Sequence, residues 1–201
     1  MPQQIKYFNG NPDKTHYIIP RGVENILNRQ FENCHELRWV NLPNTVTVLK
    51  GCSFQYCTAL ESIFIPNSVT EIEDLVFFGC SGLKIIELPQ GLKKIGFGAF
   101  QWCTSLKSII IPESVIFIDK NVFFGCITLE TIIVPSRLVK AIKQDYFPLQ
   151  KIKIWTYEDV NAAKLIQAAF RQARYNPDFS MCQNIFKKDL EVILKDNINK
   201  N

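Results

Sequence analysis

The amino-acid sequence predicts an α/β solenoid, in which similar coils stack on one another and their strands form a parallel sheet, followed by a C-terminal helical hairpin. The first observation behind this prediction is a set of side chains that recur with a period of 23 residues. The second is an alternation of inward and outward positions, ended by proline, within each repeat. The third is a change of pattern after about residue 155, where helical periodicity replaces the repeat.

Four residue types keep the same step along the chain and define the repeat. Phenylalanine recurs at Phe31, Phe54, Phe77, Phe100 and Phe123, and cysteine at Cys34, Cys57, Cys80, Cys103 and Cys126. Leucine recurs at Leu37, Leu60, Leu83, Leu106 and Leu129, and proline at Pro20, Pro43, Pro66, Pro89, Pro112 and Pro135. This shared step predicts that equivalent side chains stack into ladders inside one continuous core.

Each repeat supplies one strand, as residues 60–66 illustrate. Ile63 and Ile65 alternate with Ser62 and Phe64, which is the period of a strand with one buried face. The isoleucines are therefore predicted to point inward and their neighbours outward. Proline then ends the strand because it has no N–H to donate to the next strand, so a turn follows.

The rest of each repeat forms a returning arm, which carries the phenylalanine and cysteine columns and is predicted as a helical turn or short helix. Gly79 and Gly125 precede two of the cysteines and suit a turn that needs positive φ. At the end of the array, Ser136 is placed to cap a helix reaching about Tyr146. Residues 149–154 then repeat the strand pattern once more.

The consensus F-x-x-C-x-x-L-x-x-I-x-I-P-x-x-V-x-x-I resembles the BspA-like class of leucine-rich repeats. The resemblance covers roughly residues 15–155 and implies a leucine-rich-repeat array over that range, with an N-terminal cap over residues 1–14 and a helical segment over residues 156–201. BspA-like proteins that carry export signals resemble surface adhesins, so an adhesin with an extracellular partner is one alternative function.

The cysteine column allows a disulfide interpretation, because coils about 4.8 Å apart bring neighbouring thiols close together. Five cysteines cannot all pair, however, and reduced thiols packed as small apolar side chains are favoured. Such thiols are typical of an intracellular, reducing compartment, which is the predicted location. Cys52 and Cys57 lack zinc-knuckle spacing and the histidines are His16 and His35, so no metal or cofactor is expected.

The outward strand positions form the candidate binding face. One predicted column is His16, Trp39, Ser62, Ile85, Ser108, Thr131 and Lys151, and the other is Ile18, Asn41, Phe64, Glu87, Ile110, Ile133 and Lys153. The residues expected to contact a protein partner are Trp39, Asn41, Ser62, Phe64, Ile85, Glu87, Ile110 and Ile133, since large apolar side chains exposed on a strand face commonly mark such a site. High strand propensity alone, or coverage by the tail, also explains these residues.

The segment after residue 158 has an apolar helical face opposite basic side chains and ends near Pro177. Within it, Ile166, Gln167 and Arg171 match the front half of an IQ motif, with Arg174 displaced from its usual place. This resemblance implies an adaptor whose tail binds a calmodulin-like protein, whereas a helix that caps the last coil explains the same residues. The array and this tail together resemble uncharacterised proteins of giant DNA viruses of amoebae, for which the compartment would be the host cytoplasm.

Several function classes are not expected. Residues 1–150 carry 14 basic and 13 acidic side chains, without the concentrated positive charge of a nucleic-acid-binding protein. No secretion signal follows Met1 and no apolar run reaches the roughly 20 residues of a membrane span, so neither export nor a membrane partner is predicted. Phosphate-loop and zinc-protease motifs are absent, and the adjacent Cys34 and His35 are not expected to form a catalytic pair. The sequence therefore predicts a non-catalytic module that binds another protein.

Overall fold

The computed structural model describes residues 15–144 and 152–157. The chain divides into two compact units, Met1–Ile154 and Trp155–Asn201, and the description below concerns the first unit and the short strand at its end. The predicted cap over residues 1–14 and the predicted helices after residue 158 lie outside the described residues.

Each coil contributes one strand to a first side of the solenoid and a shorter strand to a second side. The first side consists of β1 (His16–Ile18), β3 (Trp39–Asn41), β5 (Ser62–Phe64), β7 (Ile85–Glu87), β9 (Ser108–Ile110), β11 (Thr131–Val134) and β12 (Lys153–Thr156). The second side consists of β2 (Asn25–Ile26), β4 (Val48–Leu49), β6 (Glu71–Ile72), β8 (Lys94–Ile95) and β10 (Phe117–Ile118). We number the coils by their first-side strand, so coil 1 begins with β1, coil 2 with β3 and coil 6 with β11.

The strands stack in sequence order, as the period of 23 residues predicts. On the first side β1, β3, β5 and β7 form one parallel sheet, and β9, β11 and β12 continue as another. Pairing joins residues 23 apart, for example Ile63 with Ile86 and Ile109 with Ile132. The stacked-coil fold with parallel strands is therefore confirmed.

The second sheet and the returning arm differ from the sequence-based expectation. In each of coils 1–5, the isoleucine or leucine six residues after the proline and the residue before it form the two-residue parallel strands of the second side, which were not predicted. The returning arm consists of turns where a helical turn or short helix was predicted. The reason is that two positions in each arm have positive φ, which a right-handed helix cannot accommodate. These positions are Arg29, Cys52, Leu75, Gly98 and Asn121 in one column, and Asn33, Tyr56, Gly79, Trp102 and Gly125 in the other.

The core is a set of ladders that run the length of the stack. The phenylalanine rings of successive coils lie 5.1, 5.5, 5.4 and 5.9 Å apart between centroids, within 10° of parallel. All five rings are buried, as are the leucine column and the inward isoleucines. Burial of this continuous apolar column is the main favourable term for folding.

The cysteine column lies beside the phenylalanine column and contains free thiols. Four of these thiols each donate a hydrogen bond to the carbonyl oxygen of the phenylalanine in the preceding coil, at 3.0–3.2 Å from sulfur to oxygen. The donors are Cys57, Cys80, Cys103 and Cys126, which are fully buried. The thiols therefore link neighbouring coils through hydrogen bonds while they fill the core.

The repeat changes at its C-terminal end. A 3-10 turn over Ser136–Leu138 leads directly into the helix α1 (Val139–Gln144), in the place where earlier coils have their second-side strand. Pro135 is the N-cap residue and makes no side-chain hydrogen bond, so the prediction that Ser136 caps this helix is wrong. The predicted helix end at Tyr146 lies outside the described residues. A last strand is present as β12, but it spans Lys153–Thr156 where residues 149–154 were predicted, so the predicted bounds are wrong. The Lys153 N–H donates to the carbonyl of Glu130, 23 residues earlier.

Candidate functional site

The outward side chains of the first sheet form two columns along the stack. Register pairs His16 with Trp39, Ser62 with Ile85 and Ser108 with Thr131 in one column. In the other, it pairs Ile18 with Asn41, Asn41 with Phe64, Phe64 with Glu87 and Ile110 with Ile133. The candidate residues predicted from the sequence therefore share one surface, which we call the strand face and define by these two columns in coils 1–5.

Apolar and polar residues alternate on the strand face in a checkerboard. Each coil presents one apolar and one polar outward side chain, and the two exchange columns from one coil to the next. The apolar members are Ile18, Trp39, Phe64, Ile85 and Ile110, and the polar members are His16, Asn41, Ser62, Glu87 and Ser108. Every coil of this face therefore contributes one apolar side chain, and the apolar side chains of successive coils are diagonal neighbours.

The apolar residues of the strand face are more exposed in coils 1 and 2 than in coils 3–5. Ile18 is 69% exposed and Trp39 is 37% exposed, although both are large and apolar. Phe64, Ile85 and Ile110 are half-buried. The first two coils therefore present the most accessible apolar surface on this side of the molecule.

The prediction that Ile133 faces solvent is wrong. Ile133 is 1% exposed, and all four residues of β11 are buried. In the earlier strands the outward positions stay open, whereas both sides of β11 are covered. Thr131, in the neighbouring column, is buried too. The exposed part of the outward columns consequently ends at Ile110, and Ile133 is buried although it lies outside the hydrophobic core cluster.

At the N-terminal end of the strand face, His16 and Trp39 form an aromatic pair with ring centroids 6.1 Å apart. The Thr15 hydroxyl lies 2.7 Å from His16 Nδ1. These contacts reduce the rotational freedom of both rings, which lowers the entropic cost of binding through them.

Charges lie beside the strand face, on the residue before each of β3, β5, β7, β9 and β11. Lys84 donates to Glu61 at 2.8 Å, and this lysine holds the pKa of the Glu61 carboxyl below its usual range. Arg38, Lys107 and Glu130 occupy the equivalent positions in other coils. The arrangement of apolar residues bordered by charges corresponds to the core and rim of protein interfaces.

The Cys34 and Cys80 thiols do not have the properties of nucleophiles. Burial raises the pKa of Cys34 to about 11 and that of Cys80 to about 12, so both are protonated at neutral pH. The Cys34 sulfur is 4.0 Å from the Glu32 carbonyl oxygen, whereas His35 Nδ1 lies 3.4 Å from the Thr58 hydroxyl. Over residues 15–144 and 152–157, no group of three or more histidine, cysteine or acidic residues could hold a metal ion.

The sequence-based candidate set omitted Ile18, which is the most exposed apolar residue of the strand face. Its outward position was predicted, and its apolar side chain could have identified it as a candidate contact residue.

The tail candidates Ile166, Gln167, Arg171 and Arg174 lie outside the described residues. Within the part of the chain that the structure covers, no helix is long and apolar enough to span a bilayer.

Comparison with known proteins agrees with this architecture. The family model of the BspA type leucine rich repeat region matches residues 4–103 and 93–193, with six copies. A leucine-rich repeat protein from Bacteroides ovatus is 27% identical, with a TM-score of 0.52, over 62% of this chain and 42% of its own length. The chain thus spans less than half of that relative. The leucine rich repeat protein of T. pallidum is 22% identical, with a TM-score of 0.63, over 81% of this chain and 84% of its own. Among curated proteins, none matches this sequence.

Proposed function

The chain belongs to the BspA-type leucine-rich repeat family, and on that premise we propose that it is a non-catalytic scaffold that binds a protein partner through its strand face. The candidate contacts are Trp39, Asn41, Ser62, Phe64, Ile85, Glu87 and Ile110, together with Ile18. As an adhesin-type scaffold it would bind an extracellular partner with the same face.

The checkerboard of the strand face is the observation that carries this proposal. One large apolar side chain faces outward in each of five successive coils, and a contiguous apolar patch of this kind commonly marks an interaction site. The polar residue beside each apolar one can donate or accept hydrogen bonds, which adds specificity to apolar contact. Trp39 and Phe64 are the expected hot spots because aromatic side chains bury a large area with few rotatable bonds.

The test is affinity capture with the wild-type chain and with a Trp39→Ala, Phe64→Ala variant, using extract of the native host and mass spectrometry. We expect the variant to lose the partner, because truncation of a hot-spot pair typically costs about 2 kcal/mol or more per residue. Its circular dichroism is expected to match the wild type, since neither side chain belongs to the buried core. Retention of the same partner by a folded variant would exclude the strand face as the site.

A matched control comes from the second side of the stack. Val48 lies in coil 2, as Trp39 does, but faces outward from the second sheet. Val48→Ala is expected to leave capture unchanged. Equal loss from Val48→Ala and from the strand-face variant would point to general destabilisation and would contradict the proposal.

A second candidate function is a regulated adaptor, in which the tail binds a calmodulin-like protein. It is supported by the I-Q-x-x-x-R spacing of Ile166, Gln167 and Arg171, with Arg174 adding positive charge. Titration of a peptide of residues 158–176 with calcium-loaded calmodulin tests this function independently of the strand face. Absence of binding at micromolar concentrations would remove the adaptor function and leave the scaffold proposal intact.

A further inference from the structure

The second side of the stack changes character along its length. Its outward positions are the first strand residue and the residue before it, which are Glu24 and Asn25, Thr47 and Val48, Thr70 and Glu71, Lys93 and Lys94, and Ile116 and Phe117 in coils 1–5. Coils 1–3 thus present polar and acidic residues apart from Val48, coil 4 presents a pair of lysines, and coil 5 presents a pair of large apolar residues.

The apolar residues at the end of this side are strongly exposed. Ile116 is 70% exposed and Phe117 is 46% exposed. Phe97, in the turn after β8, is 37% exposed, and the Gly98 N–H donates to the Lys120 carbonyl beside it. Phe117 pairs with Lys94, and the Ile116 N–H donates to the Lys93 carbonyl. The exposed apolar side chains of coil 5 therefore lie next to the lysines of coil 4 on one surface.

Positive charge is concentrated in the same part of the molecule. The second-side segments of coils 4–6, residues 89–99, 112–122 and 135–144, contain six basic and two acidic residues. The equivalent segments of coils 1–3, residues 20–30, 43–53 and 66–76, contain three basic and four acidic residues. The last three coils thus present a basic surface around Ile116 and Phe117, which we call the basic apolar patch.

The cations of the basic apolar patch are largely available to a partner. Among the described residues, no carboxylate lies within ion-pair distance of Lys93, Lys120, Lys140 or Lys143, and these side chains are exposed. Lys94 pairs with Glu71 at 2.7 Å. Arg137 has a different role, because its guanidinium donates to the carbonyl oxygens of Glu113 and Val115. The available positive charge is therefore carried by lysine.

We propose that the basic apolar patch adsorbs to the surface of a bilayer that contains anionic lipids. Lysines interact with anionic headgroups as flexible point charges, while Ile116 and Phe117 insert into the boundary between headgroups and acyl chains. A protein partner is disfavoured because protein interfaces are enriched in arginine and depleted in lysine. The sequence-based expectation of no membrane partner followed from the lack of a spanning segment, and adsorption needs none.

The test is sedimentation of the full chain with vesicles of phosphatidylcholine alone or with a quarter of phosphatidylserine. The chain is expected to sediment with the anionic vesicles and to be released at high salt, because the Debye length falls from about 10 Å at 0.1 M to about 3 Å at 1 M. Equal binding to both vesicle types, or no binding to the anionic ones, would overturn the proposal. Capture of an acidic soluble protein without vesicle binding would also overturn it.

Paired variants identify the patch as the surface responsible. Ile116→Ser with Phe117→Ser is expected to lower partitioning at least about tenfold, and Lys93→Gln with Lys120→Gln more than about tenfold. Val48→Ser and Lys107→Gln change equivalent residue types outside the patch and are expected to have no effect on partitioning. Wild-type partitioning of both patch variants would contradict the proposal.

Trp39 and Phe64 lie on the other sheet, so the Trp39→Ala, Phe64→Ala variant is expected to bind vesicles as the wild type does. This experiment separates the inference from the proposed function.

Discussion

At the residue scale, the cysteine column shows how one small side chain can serve both packing and hydrogen bonding. Each buried thiol fills the space beside a phenylalanine ring and donates to a carbonyl of the coil before it. The sequence indicates the packing role, since five cysteines in register cannot all form disulfides. The donor role depends on the thiol direction, which no spacing in the sequence reveals.

Burial of these thiols predicts a dependence of stability on alkaline pH. The pKa of Cys80 is raised from 9.0 to about 12, and those of Cys57 and Cys103 are raised for the same reason. A folded pKa above the unfolded one means that the stabilisation is complete below about pH 9 and is lost as pH rises towards 12. Urea denaturation should show the free energy of unfolding falling by at most about 1.4 kcal/mol per pH unit for each such thiol.

The control for this pH dependence is Cys80→Ala, which removes one of the titrating thiols. The slope between about pH 9 and pH 10 should be shallower in the variant, although the variant is less stable at neutral pH because it loses a buried hydrogen bond. The same slope in both proteins would contradict the assignment of Cys80 as a thiol held protonated by folding.

Gly79 illustrates a second requirement at the residue scale, because it needs both positive φ and free space. A Cβ at Gly79 would lie 2.5 Å from a ring atom of Tyr56, which packs against it from the preceding coil. Gly22 also has positive φ, but a Cβ there would meet nothing within 4 Å. The two glycines therefore separate backbone strain from steric overlap.

We expect Gly79→Ala to destabilise the chain more than Gly22→Ala. Positive φ alone costs an alanine about 1 kcal/mol, and at Gly79 displacement of the Tyr56 ring adds to this cost. Urea denaturation measures both losses, and Tyr56→Ala in the Gly79→Ala background should restore part of the difference. Equal losses at the two glycines would show that the ring moves aside without cost.

At the scale of the element, the first-side strands were predictable, whereas the second-side strands and the turns of the returning arm were not. Alternation of Ile63 and Ile65 with polar or aromatic neighbours is a local signal, and the period of 23 residues fixes which strands pair. The arm that carries the Phe and Cys columns was predicted as a helical turn or short helix. Positive φ at residues such as Leu75 and Tyr56 is imposed by the stacking of coils and has no clear signal in those residue types.

Ile110 and Ile133 give a test of where the strand face ends. They are paired in register in neighbouring strands, but Ile110 is half-buried and Ile133 is 1% exposed. Ile133→Ala should therefore cost about 2–5 kcal/mol in the free energy of unfolding, as expected for a buried isoleucine, and Ile110→Ala clearly less. Chemical denaturation of both variants measures the difference, and equal costs would place Ile133 back on the open face.

The burial of Ile133 also shows why the candidate site could only be predicted in part. The alternation of strand residues correctly assigned two outward columns, and the register confirms their order. Alternation states which side of the sheet a residue occupies, but it does not state whether that side is covered. Exposure at Ile18 and burial at Ile133 follow from the position of each coil in the stack, which the repeat pattern treats as equivalent.

At the scale of the whole molecule, the backbone repeats in every coil, but two side-chain patterns among the described coils repeat in every second coil. Tyr56 and Trp102 pack over Gly79 and Gly125 respectively, and each aromatic ring also makes an edge contact with Phe78 or Phe124. The strand face has the same two-coil period in its checkerboard. A partner that fits this face should therefore present complementary groups spaced by about 9.6 Å, twice the separation of adjacent strands.

The central claim is that the strand face, and not another side of the stack, contacts the protein partner. Its most direct test places a photocrosslinking phenylalanine analogue at position 64 of the strand face or at position 117 of the second side. Irradiation with the captured partner should yield a covalent complex from position 64 and none from position 117. Crosslinking from position 117 alone would contradict the account.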